Sequence, residues 1–187
     1  MQVIIRDLAD CFPNLHAALV EIIKDGFAGS GSDYETDEGA GRPLKQLSGP
    51  GCIARVAFGE DKAPIGLIGG LPEYHGHVFE LHPLVVAVGA RGQGVGRALV
   101  ADLEREAAQR GASTLWLGSD DHNGRTSIGH GDLYPDVLEK LAAIRNLRSH
   151  PYEFYLRLGF EVVGVLPDAN GPGKPDIFMA KRLKPLA

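Results

Sequence analysis

A glycine-rich segment flanked by two arginines carries the clearest chemical signal in the chain. It follows the β-branched run at residues 84–88, which predicts a strand, and it precedes apolar residues spaced four apart, which predict one face of a helix. A turn that feeds a helix N-terminus presents unpaired N–H groups and the positive end of the helix dipole, and both attract anions. The residues expected to cradle a phosphate are Arg91, Gly92, Gln93, Gly94, Val95, Gly96 and Arg97.

Several kinds of phosphate loop follow a strand in this way, and the spacing of the glycines separates them. A dinucleotide-binding loop needs G-x-G-x-x-G, but Arg97 stands three residues after Gly94. A nucleoside triphosphate loop ends in Gly-Lys-Ser or Gly-Lys-Thr, and the sequence contains neither triplet. The pattern Arg-x-x-Gly-x-Gly at residues 91–96 resembles the coenzyme A pyrophosphate loop of the GCN5-related N-acetyltransferase superfamily. The alternative is an ordinary glycine-rich turn between a strand and a helix.

Two adjacent carboxylates, Asp120 and Asp121, follow the strand predicted at residues 114–118. Moving an acetyl group from a thioester to an amine requires the amine to lose a proton. A carboxylate at the end of a strand can bind the ammonium group and draw off that proton, since ligands gather at strand ends. We assign Asp120 as the residue that takes the proton from the amine. Successive side chains of an extended chain point in opposite directions, so we expect Asp121 to point away. A pair of turn-forming aspartates is the alternative.

Glu80 and His82 alternate along the strand predicted at residues 78–88, so they should share one face. Tyr74, His75 and His77 lie just upstream. Such a cluster could hold a metal ion, but no second set of His or Cys residues with ligand spacing accompanies it. We therefore predict no metal site and expect a polar wall of an acceptor pocket.

The composition is that of an ordinary globular protein with a modest negative charge. The 187 residues, 44% of them hydrophobic and 23% charged, fit a single domain, residues 1–187. A net charge of −5 argues against nucleic acid as a partner and suits a small cationic substrate. The sequence has neither a long apolar stretch nor a signal-peptide pattern, and Cys11 and Cys52 form no CxxC pair. We expect a cytoplasmic protein with no membrane partner.

Hydrophobic periodicity predicts the elements that must position these residues. Strands are expected at residues 3–5, 52–58, 65–71, 78–88, 114–118, 160–166 and 177–181, and helices at residues 15–26, 95–110, 137–147 and 151–158. Residues 25–51 contain glycines and acids without periodicity, so we expect an irregular acidic loop with at most a helical turn near residues 43–47. That loop is either a solvated surface or a means of attracting amines. The fold class predicted is α/β, with a mixed, mostly antiparallel sheet flanked by helices.

The second half of the chain resembles a narrower group within the superfamily, the bacterial aminoglycoside 6'-N-acetyltransferases. The similarity covers about residues 65–183 and includes the segments IGGLPEYHGHVFELHPLVV, LWLGSDD, NLRSHPYEFYLRLGFEVVGVLPDANG and GKPDIFMAKRL. The resemblance implies an acyltransferase of antibiotic resistance, which moves acetyl from its cosubstrate acetyl-CoA to the 6'-amine of an aminoglycoside. It also implies that the backbone at Leu84, Val85 and Val86 holds the pantetheine arm and that residues 92–97 hold the pyrophosphate.

The resemblance also assigns roles on the acceptor side. Tyr155, in the segment FYLRLGF, would face the thioester sulfur and protonate the leaving thiolate. Tyr74, Glu80 and Asp120 would meet the aminoglycoside, and Asp121 adds a further carboxylate that attracts a polycation. Other amines, such as a polyamine or a lysine side chain, could use the same features, and a non-catalytic coenzyme A-binding module is a third possibility. The assembly expected is a homodimer.

Overall fold

Seven strands and five helices make up the part of the chain that the structure describes, residues 3–11 and 15–183. The structure is a computed structural model. Its described residues fall into two compact units, one that reaches Leu115 and includes Leu183, and one that spans Trp116–Arg182. Within the described ranges, no helix combines the length and the apolar character needed to cross a membrane.

Four antiparallel strands form the sheet of the first unit in the order β1-β2-β3-β4. They are β1 (Ile4–Asp7), β2 (Ile53–Phe58), β3 (Pro64–Glu73) and β4 (Val78–Val86). The register shifts once between β3 and β4. Ile68 pairs with Leu84 and Gly70 pairs with Leu81, so two residues of β4 stand opposite one residue of β3. The four strands predicted in this part of the sequence are confirmed, with β4 two residues shorter than expected.

Three helices pack on this sheet, namely α1 (Leu15–Phe27), α2 (Asp37–Leu47) and α3 (Val95–Gln109). The predicted apolar face of α3 is confirmed, since the residues at its spacing of four are all buried: Val95, Leu99, Leu103 and Ala107. On α1 the buried residues are Leu19, Val20, Ile22 and Ile23, and the helix runs on through Gly26, where the sequence predicted its end. Burial of these apolar side chains is what stabilises both helices on the sheet.

The prediction of an irregular loop at residues 25–51 is wrong, because this stretch contains a 3-10 turn, Asp33–Glu35, and the eleven-residue helix α2. Thr36 caps α2, since its hydroxyl oxygen accepts a hydrogen bond from the Gly39 N–H at 3.0 Å. The buried face of α2 consists of Gly39, Ala40, Pro43, Leu44 and Leu47. Glycine and proline weaken the helical signal in the sequence, but the cap and the burial of this face outweigh their low propensity.

The second unit contains most of β5 (Thr114–Asp120), followed by α4 (Val137–Ala142), α5 (Tyr152–Arg157), β6 (Glu161–Leu166) and β7 (Asp176–Arg182). The strand order is β5-β7-β6, and β6 pairs with β7 in antiparallel register. The helix predicted at residues 137–147 is wrong in its second half, because α4 ends at Ala142. The chain beyond it pairs with an earlier loop instead, where the Ser127 N–H donates to the Arg145 carbonyl at 2.9 Å.

The fold class predicted from the sequence is confirmed. The protein is α/β, with a mixed, mostly antiparallel sheet flanked by helices. Strands and helices alternate in the middle of the chain, and pairs of strands stand near both ends, which is the pattern that led to this prediction.

The close approach of α2 to the preceding 3-10 turn gives a stability prediction. A Cβ at Gly39 would lie 1.8 Å from the Asp33 carbonyl oxygen, so Gly39→Ala should displace the turn and lower the free energy of unfolding by about 1–3 kcal/mol. The matched control is Gly41→Ala in the same helix, where a Cβ would meet nothing within 4 Å and should stabilise by about 0.5–1 kcal/mol. Urea unfolding of both variants measures the difference, and equal effects would contradict the close packing.

Candidate active site

The glycine-rich segment forms the turn between β4 and α3, as the sequence predicts. A 3-10 turn, Val88–Ala90, follows the strand, and α3 begins at Val95. Gly94 stands at the N-terminal cap of α3 with φ at +87°, in the left-handed region that favours glycine. This conformation turns the chain abruptly into the helix, so the first N–H groups of α3 lie next to the turn.

Side chains of the turn brace it from within. The Arg91 guanidinium donates from Nε to the Val86 carbonyl at 3.1 Å, and the Gln93 amide donates to the Gly89 carbonyl at 2.8 Å. Arg97 is exposed on the first turns of α3. Two cations therefore flank a turn whose shape is fixed by hydrogen bonds to its own backbone.

The surroundings of this turn suit an anion. The first turn of α3 contains no acidic side chain, so the helix itself places no carboxylate against the positive end of its dipole. Among the described residues, no heavy atom beyond the chain neighbours lies within 4 Å of where a Cβ would stand at Gly92 or Gly94, and both residues are exposed. The turn is thus open on the side where a pyrophosphate would approach the backbone.

The strand that leads into the turn presents two different faces. Phe79 and Leu81 are buried, whereas Glu80 and His82, which alternate with them, are only partly buried and share the opposite face, as predicted. Leu84, Val85 and Val86, predicted to hold the pantetheine arm, pair with Ile68, Leu67 and Gly66 of β3. The role of their backbone in cofactor binding stays a prediction.

Glu80 is the most chemically distinctive residue on the polar face of β4. Burial raises the pKa of its carboxyl above the ordinary glutamate value, and the nearby charge of Glu73 raises the pKa further. A carboxylate with a raised pKa accepts a proton more readily than an ordinary one. Tyr74, predicted to contact the acceptor, follows Glu73 with a positive φ of 46° and a 73% exposed side chain.

The two aspartates at the end of β5 differ sharply in environment. Asp121 is fully buried, and its carboxylate accepts hydrogen bonds from the Arg125 N–H at 2.6 Å, the Thr126 N–H at 2.8 Å and the Thr126 hydroxyl at 2.7 Å. These bonds fix the loop after β5, so we assign Asp121 to the structure of the loop and correct its sequence-based assignment to acceptor binding. Asp121 is buried whereas its neighbour Asp120 is exposed, and this contrast supports the alternation expected of the two side chains.

Asp120 remains available for chemistry, with 48% of its side chain exposed. The Asn170 side-chain amide donates to its Oδ1, and the His122 Nε2 lies 3.8 Å from its Oδ2. Asn170 lies fifty residues further along the chain, so no local pattern in the sequence could have revealed this partner. The sequence indicates only that Asn170 lies in a loop, because the run between the last two predicted strands is rich in turn-forming residues.

Tyr155 lies in α5 and is 9% exposed. Its ring packs edge-on against Phe154 and Phe160, at centroid distances of 5.1 and 5.6 Å. Burial raises the pKa of its hydroxyl well above the ordinary tyrosine value. A tyrosine is already protonated at physiological pH, as a general acid must be, and burial extends that protonated state to higher pH.

Comparison with known protein families identifies the class to which this protein belongs. The profile of the acetyltransferase (GNAT) family matches residues 16–128, which is more than half of the chain. The chain belongs to this family. The resemblance that the glycine-rich segment carries is thereby confirmed.

Solved structures narrow the comparison. A crystal structure of aminoglycoside 6'-N-acetyltransferase complexed with coenzyme A is 39% identical in sequence, with a TM-score of 0.87 over 98% of this chain and 99% of that chain. The aminoglycoside 6'-N-acetyltransferase from Enterococcus faecium is also 39% identical, with a TM-score of 0.86 and the same coverage. An aminoglycoside 6'-acetyltransferase type Ii is 34% identical, with a TM-score of 0.68. A search of curated protein sequences gives no match.

His150 ties α5 to the end of β5 and was not singled out by its sequence. It is 2% exposed; its Nδ1 accepts from the Tyr152 N–H at 3.2 Å, so Nε2 carries the ring proton and donates to the Asp120 carbonyl at 3.1 Å. Asn146 clamps its backbone through two hydrogen bonds of 3.0 and 2.8 Å. Burial, the largest cause, lowers the pKa of His150, so the neutral ring is the native form.

This buried histidine makes stability depend on pH. The folded-state pKa lies below the unfolded value, so its contribution is complete above the unfolded pKa and is lost as pH falls through the folded pKa. We expect the free energy of unfolding to fall more steeply between pH 7 and pH 5 in the wild type than in His150→Gln. His16→Gln, at an exposed site on α1, is the control and should keep the wild-type slope. Identical slopes in all three proteins would sink this assignment.

Proposed function

We propose that the protein transfers an acetyl group from acetyl-CoA to the 6'-amine of aminoglycosides, and so confers resistance to these antibiotics. The observation that carries the proposal is 39% identity, over nearly the whole chain, to two solved aminoglycoside 6'-N-acetyltransferases, one of them complexed with coenzyme A. The partly exposed carboxylates Glu80 and Asp120 support it, because aminoglycosides are polycations.

Acetyl-CoA fits the turn that opens α3. Gly92 and Gly94 leave the backbone uncovered, and the helix N-terminus and the flanking arginines Arg91 and Arg97 are positive. We assign the pyrophosphate to residues 92–97 and the pantetheine arm to the backbone at residues 84–86. When bound, acetyl-CoA supplies the thioester from which the acetyl group leaves. The described residues contain no His, Cys, Asp and Glu group able to hold a metal ion, and none is assigned a role.

The chain's own residues handle the protons. We assign Asp120 to bind the reacting ammonium group and draw off its proton, as the sequence predicts. The raised pKa of Glu80 makes it the competing candidate, because it accepts a proton more readily. Tyr155, whose phenol is neutral at physiological pH, is assigned to protonate the thiolate as the amide forms.

Two parts of the sequence prediction complete the proposal. We assign the protein to the cytoplasm, and both of its cysteines, Cys11 and Cys52, are free. We also propose a homodimer with no nucleic-acid or membrane partner. The strand β6, at the end of the order β5-β7-β6, supports a dimer by exposing Val163 at 62% and Leu166 at 51%.

The cofactor assignment is tested by Gly94→Val, which places a β-branched side chain where the pyrophosphate would meet the backbone. We expect acetyl-CoA affinity to fall by about tenfold or more, which corresponds to about 1.4 kcal/mol. The matched control is Gly111→Val at the other end of α3, since Gly111 has the same φ of +87° and nothing within 4 Å of its Cβ position. Both variants should lose similar stability, and calorimetry should find weaker binding only in Gly94→Val. Unchanged affinity in both would remove this turn from the cofactor site.

The function itself is tested by a panel of amines assayed for release of free thiol from acetyl-CoA. We expect kanamycin and tobramycin to be acetylated with far higher kcat/KM than spermidine or a lysine peptide. A preference for spermidine or the peptide would move the protein to another amine. No turnover with any amine, despite acetyl-CoA binding, would favour a coenzyme A-binding module.

The same assay assigns the carboxylates. Asp120→Asn should lower kcat/KM for aminoglycosides by about a hundredfold, a typical acid–base contribution, while acetyl-CoA affinity stays unchanged. Glu80→Gln should mainly raise the acceptor KM, and Glu139→Gln, on the exposed face of α4, is the control for removing one acid. The reverse pattern, with kcat lost in Glu80→Gln, would transfer the base to Glu80.

A further inference from the structure

Tyr34 lies in the 3-10 turn Asp33–Glu35, within the acidic segment at residues 25–51, and its side chain reaches the polar face of β4. Its hydroxyl oxygen lies 2.9 Å from His82 Nε2, although the two residues are 48 positions apart. The two rings stack obliquely, with centroids 6.1 Å apart. The segment once expected to be an irregular loop therefore places a phenol against a histidine of the proposed acceptor site.

His82 in turn faces Glu80. Its Nδ1 lies 3.9 Å from Glu80 Oε1, close enough for electrostatic attraction and beyond ordinary hydrogen-bond distance. A proton on Nδ1 is attracted by the carboxylate, whereas a lone pair on Nδ1 would be repelled by it. The neutral ring with its proton on Nδ1 therefore suits Glu80, and it leaves Nε2 to accept the hydrogen of the Tyr34 hydroxyl.

Several contacts hold Tyr34 in this position. Its ring packs against Phe27 at a centroid distance of 4.8 Å, and both side chains lie against the hydrophobic core. The 3-10 turn that carries it rests on Gly39, with no room for a Cβ beneath the Asp33 carbonyl. The Asp33 carboxylate also accepts from the Arg42 guanidinium at 2.9 Å. The ring of Tyr34 is thus held by Phe27 and the core, and the turn that carries it is held through its neighbour Asp33.

We propose that Tyr34 is a positioning residue for the acceptor site, which acts by donating to His82 Nε2 and so keeps the Nδ1 proton directed at Glu80. This inference rests on the proposed function, in which Glu80 meets the cationic acceptor. A fixed His82 orients the Glu80 carboxylate through the attraction of its Nδ1 proton. The acidic segment thereby serves the site through a neutral phenol, in addition to any attraction exerted by its charges.

Nitrogen-15 NMR of histidine-labelled protein at pH 8 tests the positioning without any substrate. His82 is assigned by its absence from the spectrum of His82→Gln. We expect the wild type to show the Nδ1-protonated neutral ring, and Tyr34→Phe to shift His82 toward the Nε2-protonated form. Tyr134→Phe, which alters an exposed tyrosine of the second unit, is the control and should leave His82 unchanged. An Nε2-protonated or doubly protonated ring in the wild type, or no shift in Tyr34→Phe, would overturn the proposal.

Kinetics test the consequence for catalysis. Tyr34→Phe keeps the ring and loses one hydrogen bond, so we expect kcat/KM for kanamycin to fall about three- to tenfold with acetyl-CoA affinity unchanged. In the Glu80→Gln background the same change should cost little more, because residues acting through one another are not additive. Full additivity would overturn the link from Tyr34 to Glu80. If the wild type acetylates no aminoglycoside, the proposed function fails, and the NMR result alone decides the role of Tyr34.

Discussion

The alternation of side chains along β4 is the constraint on which the first unit depends. Phe79 and Leu81 are buried in the core, so Glu80 and His82, which alternate with them, must occupy the other face. A shift of one residue would bury Glu80 and His82 and expose Phe79 and Leu81, at a cost of several kcal/mol for the buried charge and the lost burial. The packing of the core therefore fixes where the polar residues stand, and the same strand delivers the chain to the turn that opens α3.

The second unit depends in the same way on one buried group, the carboxylate of Asp121. A buried charge is costly unless donors surround it, and two backbone N–H groups and the Thr126 hydroxyl do so. Those bonds gather the loop that follows β5, while His150 donates to the carbonyl of Asp120. Asp120 thus has a fixed backbone and a partly exposed side chain, the combination expected of a residue that meets a ligand.

The electrostatic pattern divides between the two substrates of the proposed reaction. The turn before α3 combines a helix N-terminus with Arg91 and Arg97 and has no acid in the first helical turn, which suits a pyrophosphate. Acidic side chains stand outside this turn, and their negative charge suits a polycationic substrate; they are Glu73, Glu80 and Asp120. The net charge of −5 alone could not reveal this division, because it sums groups that act on opposite ligands.

Local sequence by itself determined the turn, the strands and most of the helices, because Gly94, the period of two in β4 and the period of four in α3 act over a few residues. Local signals failed for α2, where glycine and proline hide a helix that burial stabilises. Only the tertiary structure decided the partners of the site residues. Tyr34 reaches His82 across 48 positions and Asn170 reaches Asp120 across 50, and such contacts follow from how whole elements pack, which no short pattern encodes.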